Sequence, residues 1–183
     1  MGRRRKEYRM KKGLIHIYCG DGKGKTTAAF GLALRWAGRG GRAVIAQFLK
    51  GADSGERYAL AHVPGVELLP VPETIKFVFA MDEEEKAAAR AESRALLAGA
   101  LTALEGGCGL AVLDECCGAL STGMLTEEEV LAFLDRCPPE AEVVLTGREP
   151  PRALLERAGY VTEMVKRKHP YDRGVQARIG VEW

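Results

Sequence analysis

Residues 13–31 (GLIHIYCGDGKGKTTAAFG) constrain this chain more than any other stretch. Residues 14–19 are a short apolar run of the kind that makes a buried strand. Three glycines follow within residues 20–24, and Lys25-Thr26-Thr27 opens an Ala-rich helix. A strand, a glycine turn and a helix with Lys-Thr in its first turn are the layout of a phosphate-binding loop. Glycine takes positive φ and lets the backbone approach an anion. Successive N–H groups then converge on the anion as a nest, and the helix N-terminus adds donors and partial positive charge. Gly20, Asp21, Gly22, Lys23, Gly24, Lys25, Thr26 and Thr27 are therefore expected to hold a polyphosphate. Lys25 would neutralise its charge, and Thr26 would offer a hard oxygen to Mg²⁺. The usual G-x-x-x-x-G-K-[ST] pattern has its first glycine where this chain has Cys19; Gly20 and Gly22 supply the flexibility instead.

The rest of the chain alternates strand and helix signals. A helix over 26–39 carries Phe30, Leu34 and Ala37 on one expected face, and stops at Gly38, Gly40 and Gly41. Strands are expected at 42–49, 66–71, 110–115, 142–146 and 160–165. Helices are expected at 56–62, 82–105, from Thr126, and at 151–159. Asp82-x-x-Glu85 and Thr126-x-x-Glu129 are capping-box starts. Residues 70–81 read as extended, with Phe77 and Phe79 on one face; core burial and stacking on a flat ligand both fit that spacing. Residues 166–183 are polar, with a helical turn expected at 174–179. This alternation predicts one α/β domain over 13–183, a parallel sheet flanked by helices, with ligands at the strand carboxyl ends. Four stretches fall there: the loop at 20–27, residues 50–55, Asp114-Glu115 and Gly147-Arg148. Asp114 or Glu115 can hold Mg²⁺ beside the loop, as a strand-end carboxylate does in phosphate-loop enzymes, while the other orients substrate or water. The residues alone indicate an enzyme using Mg-ATP.

Charge and cysteine content narrow the class. The formal +2 is concentrated in residues 1–12, where seven Lys and Arg face only Glu7, so the remainder is net −4. A mildly acidic body argues against nucleic acid as partner, and the basic end reads as a solvated, flexible tail. The chain has no apolar run near the ~20 residues that span a bilayer and no signal-peptide core, which predicts a cytoplasmic protein. Five cysteines without a C-x-x-C pair indicate neither a disulfide framework nor a zinc site.

The motifs GDGKGKTTAAFGLALR (20–35), QFLKG (47–51), VLDE (112–115), LTGR (145–148) and KHPYDRGVQARIGVE (168–182) resemble the ATP:corrinoid adenosyltransferases of cobalamin biosynthesis and salvage. The resemblance covers nearly the whole chain after the basic tail. Asp21 is a departure, since the family usually has Asn there. The resemblance implies a fold similar to the RecA-like P-loop NTPases, with ATP lying reversed along the loop. It implies that Co(I) of a reduced corrinoid attacks the ribose 5′ carbon and displaces the whole triphosphate. Lys25, with Glu115, would then serve catalysis, and Arg148 would join the loop in binding ATP. Thr26, Asp114 and Glu115 would serve the metal. Phe77-x-Phe79 matches the aromatic pair the family sets against the lower face of the corrin. An electron-donor flavoprotein and a homodimer are further implications. The rival readings are a phosphate-loop ATPase or kinase acting on the γ-phosphate, and a nucleotide-dependent regulatory or nucleic-acid-binding module.

Overall fold

A computed structural model describes residues 12–73 and 75–181 of the protein. The tail expected over residues 1–12 lies, Lys12 apart, outside the described residues. In chain order the elements are β1 (Ile15–Cys19), α1 (Lys25–Gly38), β2 (Ala43–Gln47), α2 (Gly55–Leu60), β3 (Val66–Leu68), α3 (Glu83–Glu105), β4 (Leu110–Asp114), α4 (Cys116–Ser121), α5 (Glu127–Arg136), β5 (Glu142–Thr146), α6 (Arg152–Arg157) and β6 (Tyr160–Glu163). Single 3₁₀ turns lie at Val78–Ala80 and Pro170–Arg173.

The six strands pair in parallel in the order β3-β2-β4-β5-β1-β6. Strands buried on both faces are continuous apolar runs whose successive side chains alternate between layers. Val44, Ala46, Ala111, Leu113, Val143 and Leu145 face one layer with Leu97, Leu101 and Leu104 of α3, Phe133 of α5 and Leu154 of α6. Ala43, Ile45, Leu110, Val112 and Val144 face the other, with Ala29, Phe30 and Ala33 of α1 and Leu60 of α2. The expected face of α1 is corrected: Phe30 is buried, but small Ala29 and Ala33 accompany it, while Leu34 is exposed and Ala37 only half-buried.

Other boundaries differ for local reasons. β3 ends at Leu68 rather than at 71, since Pro70 and Pro72 cannot donate to the ladder. α4 follows Glu115 as a short helix that no capping signal marks in the sequence. The turn expected at 174–179 lies instead at Pro170–Arg173. There Pro170 presets the first φ, the His169 ring accepts from the Tyr171 N–H, and Gly174 in the left-handed region ends the turn. α3 and α5 do open on complete capping boxes, at Asp82/Glu85 and Thr126/Glu129.

Candidate active site

The carboxyl ends of β1, β2, β4 and β5 converge on one place, and the phosphate loop crosses it. Gly20 and Gly24 sit at φ 98° and 109°. Gly20 and Gly22 are pressed against the chain that leaves β6: a Cβ on either would lie 2.5 or 2.6 Å from the Met164 carbonyl oxygen. Two loop N–H groups are used structurally, Gly20 donating to Arg148 O and Gly22 to Met164 O. The expected nest is therefore narrower than the loop's length. What stays open is the start of α1, where Gly24 provides no side-chain cap and the first turn contains no acidic residue. In α3 and α5 the same position is boxed and followed by three glutamates. An uncapped, electropositive helix end is suited to an anion.

Lys25 folds over the loop, its Nζ donating to Gly20 O and Gly22 O, both at 2.8 Å. Burial lowers its pKa, with Glu115 acting in the opposite sense. Beside it a cavity of about 300 Å³ is lined by Asp21, Gly22, Lys23, Lys25, Arg148 and the C-terminal residues His169, Tyr171 and Gln176, among others. Arg148 is thus brought to the loop. Asp21 accepts from the Lys166 backbone N–H at 2.8 Å, which holds its carboxyl below the usual range. An acceptor oxygen is what that contact needs, and both Asp and Asn possess one.

Asp114, at the end of β4, is fully buried and takes four side-chain donors. Thr26 and Thr146 hydroxyls donate to Oδ1 at 2.9 and 2.7 Å. Gln47 Nε2 and Lys50 Nζ donate to Oδ2 at 3.2 and 2.7 Å. The Gln47 amide is itself fixed by Arg57, whose other nitrogen donates to Leu69 O. Glu115 follows in the left-handed region at φ 60°, and its N–H donates to Thr146 Oγ1. Its carboxyl turns over Gly118, where a Cβ would come within 2.6 Å of Oε1. Burial, and then the Asp114 charge, raise its pKa.

Thr26, Asp114 and Glu115 offer hard oxygens of the kind Mg²⁺ takes. That ion is usually held by one or two carboxylates plus substrate phosphates, not by an all-protein cage. The residues fit a cation: Thr26 Oγ1 and Asp114 Oδ2 already share one, the Lys50 ammonium. Residues 50–55 are expected at the strand carboxyl ends, and Lys50 of that stretch does reach the site, but no role for it, or for Gln47, Thr146 and Arg57, is legible in the sequence. QFLKG and LTGR were visible as motifs, but a lone Lys or Thr after a strand does not announce what it will touch.

Phe77 and Phe79 stand apart from the cavity, and the structure decides against core burial. The segment is anchored inward by Val78 and Met81, while the two rings are 76% and 87% exposed. They lie parallel, 5.4 Å apart. A 3₁₀ turn replaces the expected extended backbone and still sets both rings on one side.

A sequence model of the family described as ATP:corrinoid adenosyltransferase BtuR/CobO/CobP matches residues 11–183. The chain is 35% identical to a corrinoid adenosyltransferase of Escherichia coli (strain K12) over 174 residues, 94% of this chain and 86% of that protein. It is 35% identical over 176 residues to the corrinoid adenosyltransferase of Pseudomonas aeruginosa, covering 96% and 86%. Identity is also 35% over 176 residues to corrinoid adenosyltransferase CobA of Salmonella typhimurium, covering 94% and 86%. A loop that leaves its helix end open, a buried carboxylate that already holds a cation and a match across the sheet and C-terminal segment converge: the chain belongs to the ATP:corrinoid adenosyltransferase family.

Proposed function

We propose that the protein transfers the 5′-deoxyadenosyl group of ATP to Co(I) of a reduced corrinoid and releases tripolyphosphate. Membership of the family over residues 11–183 carries this reading. Lys25 and Arg148 beside the loop, Asp114 bonded to the loop's Thr26, and Glu115 near enough to act on the Lys25 charge support it. Cobalt is the nucleophile: its electron pair forms the bond to C5′, and the C5′–O pair leaves with the tripolyphosphate. Cobalt passes formally from Co(I) to Co(III), and no general base is needed.

The chain's own contribution is to grip the leaving group. The open end of α1, Lys25 and Arg148 place positive charge where tripolyphosphate gathers negative charge, the preorganised stabilisation that speeds such departures. Thr26 and Asp114 would hold magnesium, with Glu115 adjacent; bound there, the ion supplies Lewis-acid stabilisation of the same oxygens. Phe77 and Phe79 offer a bare aromatic surface against which a corrin face would exclude its lower axial ligand. A flavoprotein electron donor, a homodimer and a cytoplasmic setting belong to the same reading. Among the described residues no helix is long and apolar enough to cross a membrane.

The test is incubation with ATP, Mg²⁺ and chemically reduced corrinoid, following the light-sensitive cobalt–carbon bond. Wild type should form it, and Lys25→Ala should lose it while remaining folded. An unimpaired Lys25→Ala variant would remove the loop from the mechanism.

A further inference from the structure

Lys50 is a charged side chain, bonded directly to Thr26 and Asp114, that the reaction as proposed does not use. Its Nζ lies 2.9 Å from Thr26 Oγ1 and 2.7 Å from Asp114 Oδ2. These atoms belong to the two residues best placed to serve the metal. The backbone aims it there: Leu49 sits at φ 56°, a left-handed conformation that a γ-branched residue adopts only under local constraint. Leu49 is held in that turn by packing against the core, and the turn ends β2 by sending Lys50 back across the β4 terminus. Such outliers gather where structure fixes a functional side chain, and Glu115 at φ 60° is the other non-glycine outlier among the described residues. The Lys50 side chain keeps about a third of its surface exposed (34%), whereas Asp114 keeps none. The ammonium can therefore leave, and the carboxylate cannot.

We propose that Lys50 is an exchangeable internal cation of the metal site: it neutralises Asp114 and occupies Thr26 Oγ1 until Mg²⁺ arrives with nucleotide, then turns to the polyphosphate oxygens. This rests on the Mg-ATP reading of the loop. Two cations held on one pair of oxygens repel each other, so a lysine seated there weakens binding of metal alone and favours metal carried by nucleotide. A buried Asp114 is also never left as an uncompensated charge, which would be strongly destabilising.

The experiment titrates Mn²⁺, read by electron paramagnetic resonance, into wild type and Lys50→Met with and without ATP. Wild type should bind Mn²⁺ appreciably only with ATP. Lys50→Met should bind Mn²⁺ without ATP more tightly by about tenfold or more, as follows when an occupant filling the site most of the time is removed. Mn²⁺ alone should also raise the Tm of Lys50→Met but not that of wild type. Equal nucleotide-free affinities in the two proteins would overturn the proposal. Failure of wild type to bind Mn²⁺ even with ATP would instead overturn the reading of the loop. Should Lys50→Met not fold, the ε-methylene NMR signal of Lys50 in wild type decides. It should move on addition of Mg-ATP and stay in place with Mg²⁺ alone; a signal unmoved by Mg-ATP contradicts the exchange.

Discussion

Asp114 shows how one buried charge is made tolerable. Each of its oxygens meets two donors, which come from the start of α1, from the end of β2 and its following turn, and from the end of β5. Asp114→Asn would keep an acceptor for Thr26 and Thr146, but would turn an NH₂ group toward the donors of Gln47 and Lys50. Leaving buried polar groups unmatched costs about 1–3 kcal/mol, so thermal unfolding of this variant should show a lower Tm, and the dependence of ATP binding on Mg²⁺ should weaken. The neighbouring thiols behave differently. Burial pushes Cys117 up to about 12 and Cys116 well above the usual range. Thiolate is the reactive form, so iodoacetamide at pH 8 should leave both unlabelled in the native protein, and peptide mass spectrometry should find all five cysteines labelled after denaturation.

At the scale of elements, two segments have their roles separated by what they bury. The turn carrying Phe77 and Phe79 is pinned by Val78, Met81 and the Lys76–Glu85 ion pair, so the rings themselves support little structure. Phe77→Ala and Phe79→Ala should each change stability by no more than about 0.5 kcal/mol, the usual effect at an exposed site. Adenosylation starting from Co(II) should fall far more than ATP affinity, and equal losses in both would deny the rings a corrinoid role. The C-terminal segment is tied to the loop by the Lys166 N–H on Asp21 and the Gly22 N–H on Met164 O. Asp21→Ala should speed hydrogen exchange at the Lys166 amide, and Asp21→Asn, which keeps the acceptor, should not. Because that bond depresses the Asp21 pKa below its usual 3.8, its contribution is complete above that pH. That added strength fades as pH falls through the lowered value; the protonated carboxyl keeps an acceptor oxygen, so below pH 3.8 the tie should weaken rather than break.

Across the whole molecule, what could be read ahead was whatever is written locally. Strand runs such as LAVLD, the capping boxes of α3 and α5, and the glycine loop each encode their own geometry within a few residues. The convergence of 20–27, Asp114-Glu115 and Gly147-Arg148 followed from topology alone, because parallel strands deliver their carboxyl ends to one edge. Long-range partners stayed hidden. Lys50 and Asp114 are 64 residues apart, and Asp21 and Lys166 are 145 apart. Nothing in either short stretch names the other. The Phe77-x-Phe79 spacing by itself favours a core, and the inward anchoring of Val78 and Met81 is what turns the rings out. The bond at which ATP is broken separates adenosyl transfer from hydrolysis, and it is read from the phosphorus-containing product formed with Mg-ATP and Co(I) corrinoid, quantified against new cobalt–carbon bonds. One tripolyphosphate per bond, with no ADP, is expected; ADP and orthophosphate, or tripolyphosphate without the bond, would rule out adenosyl transfer.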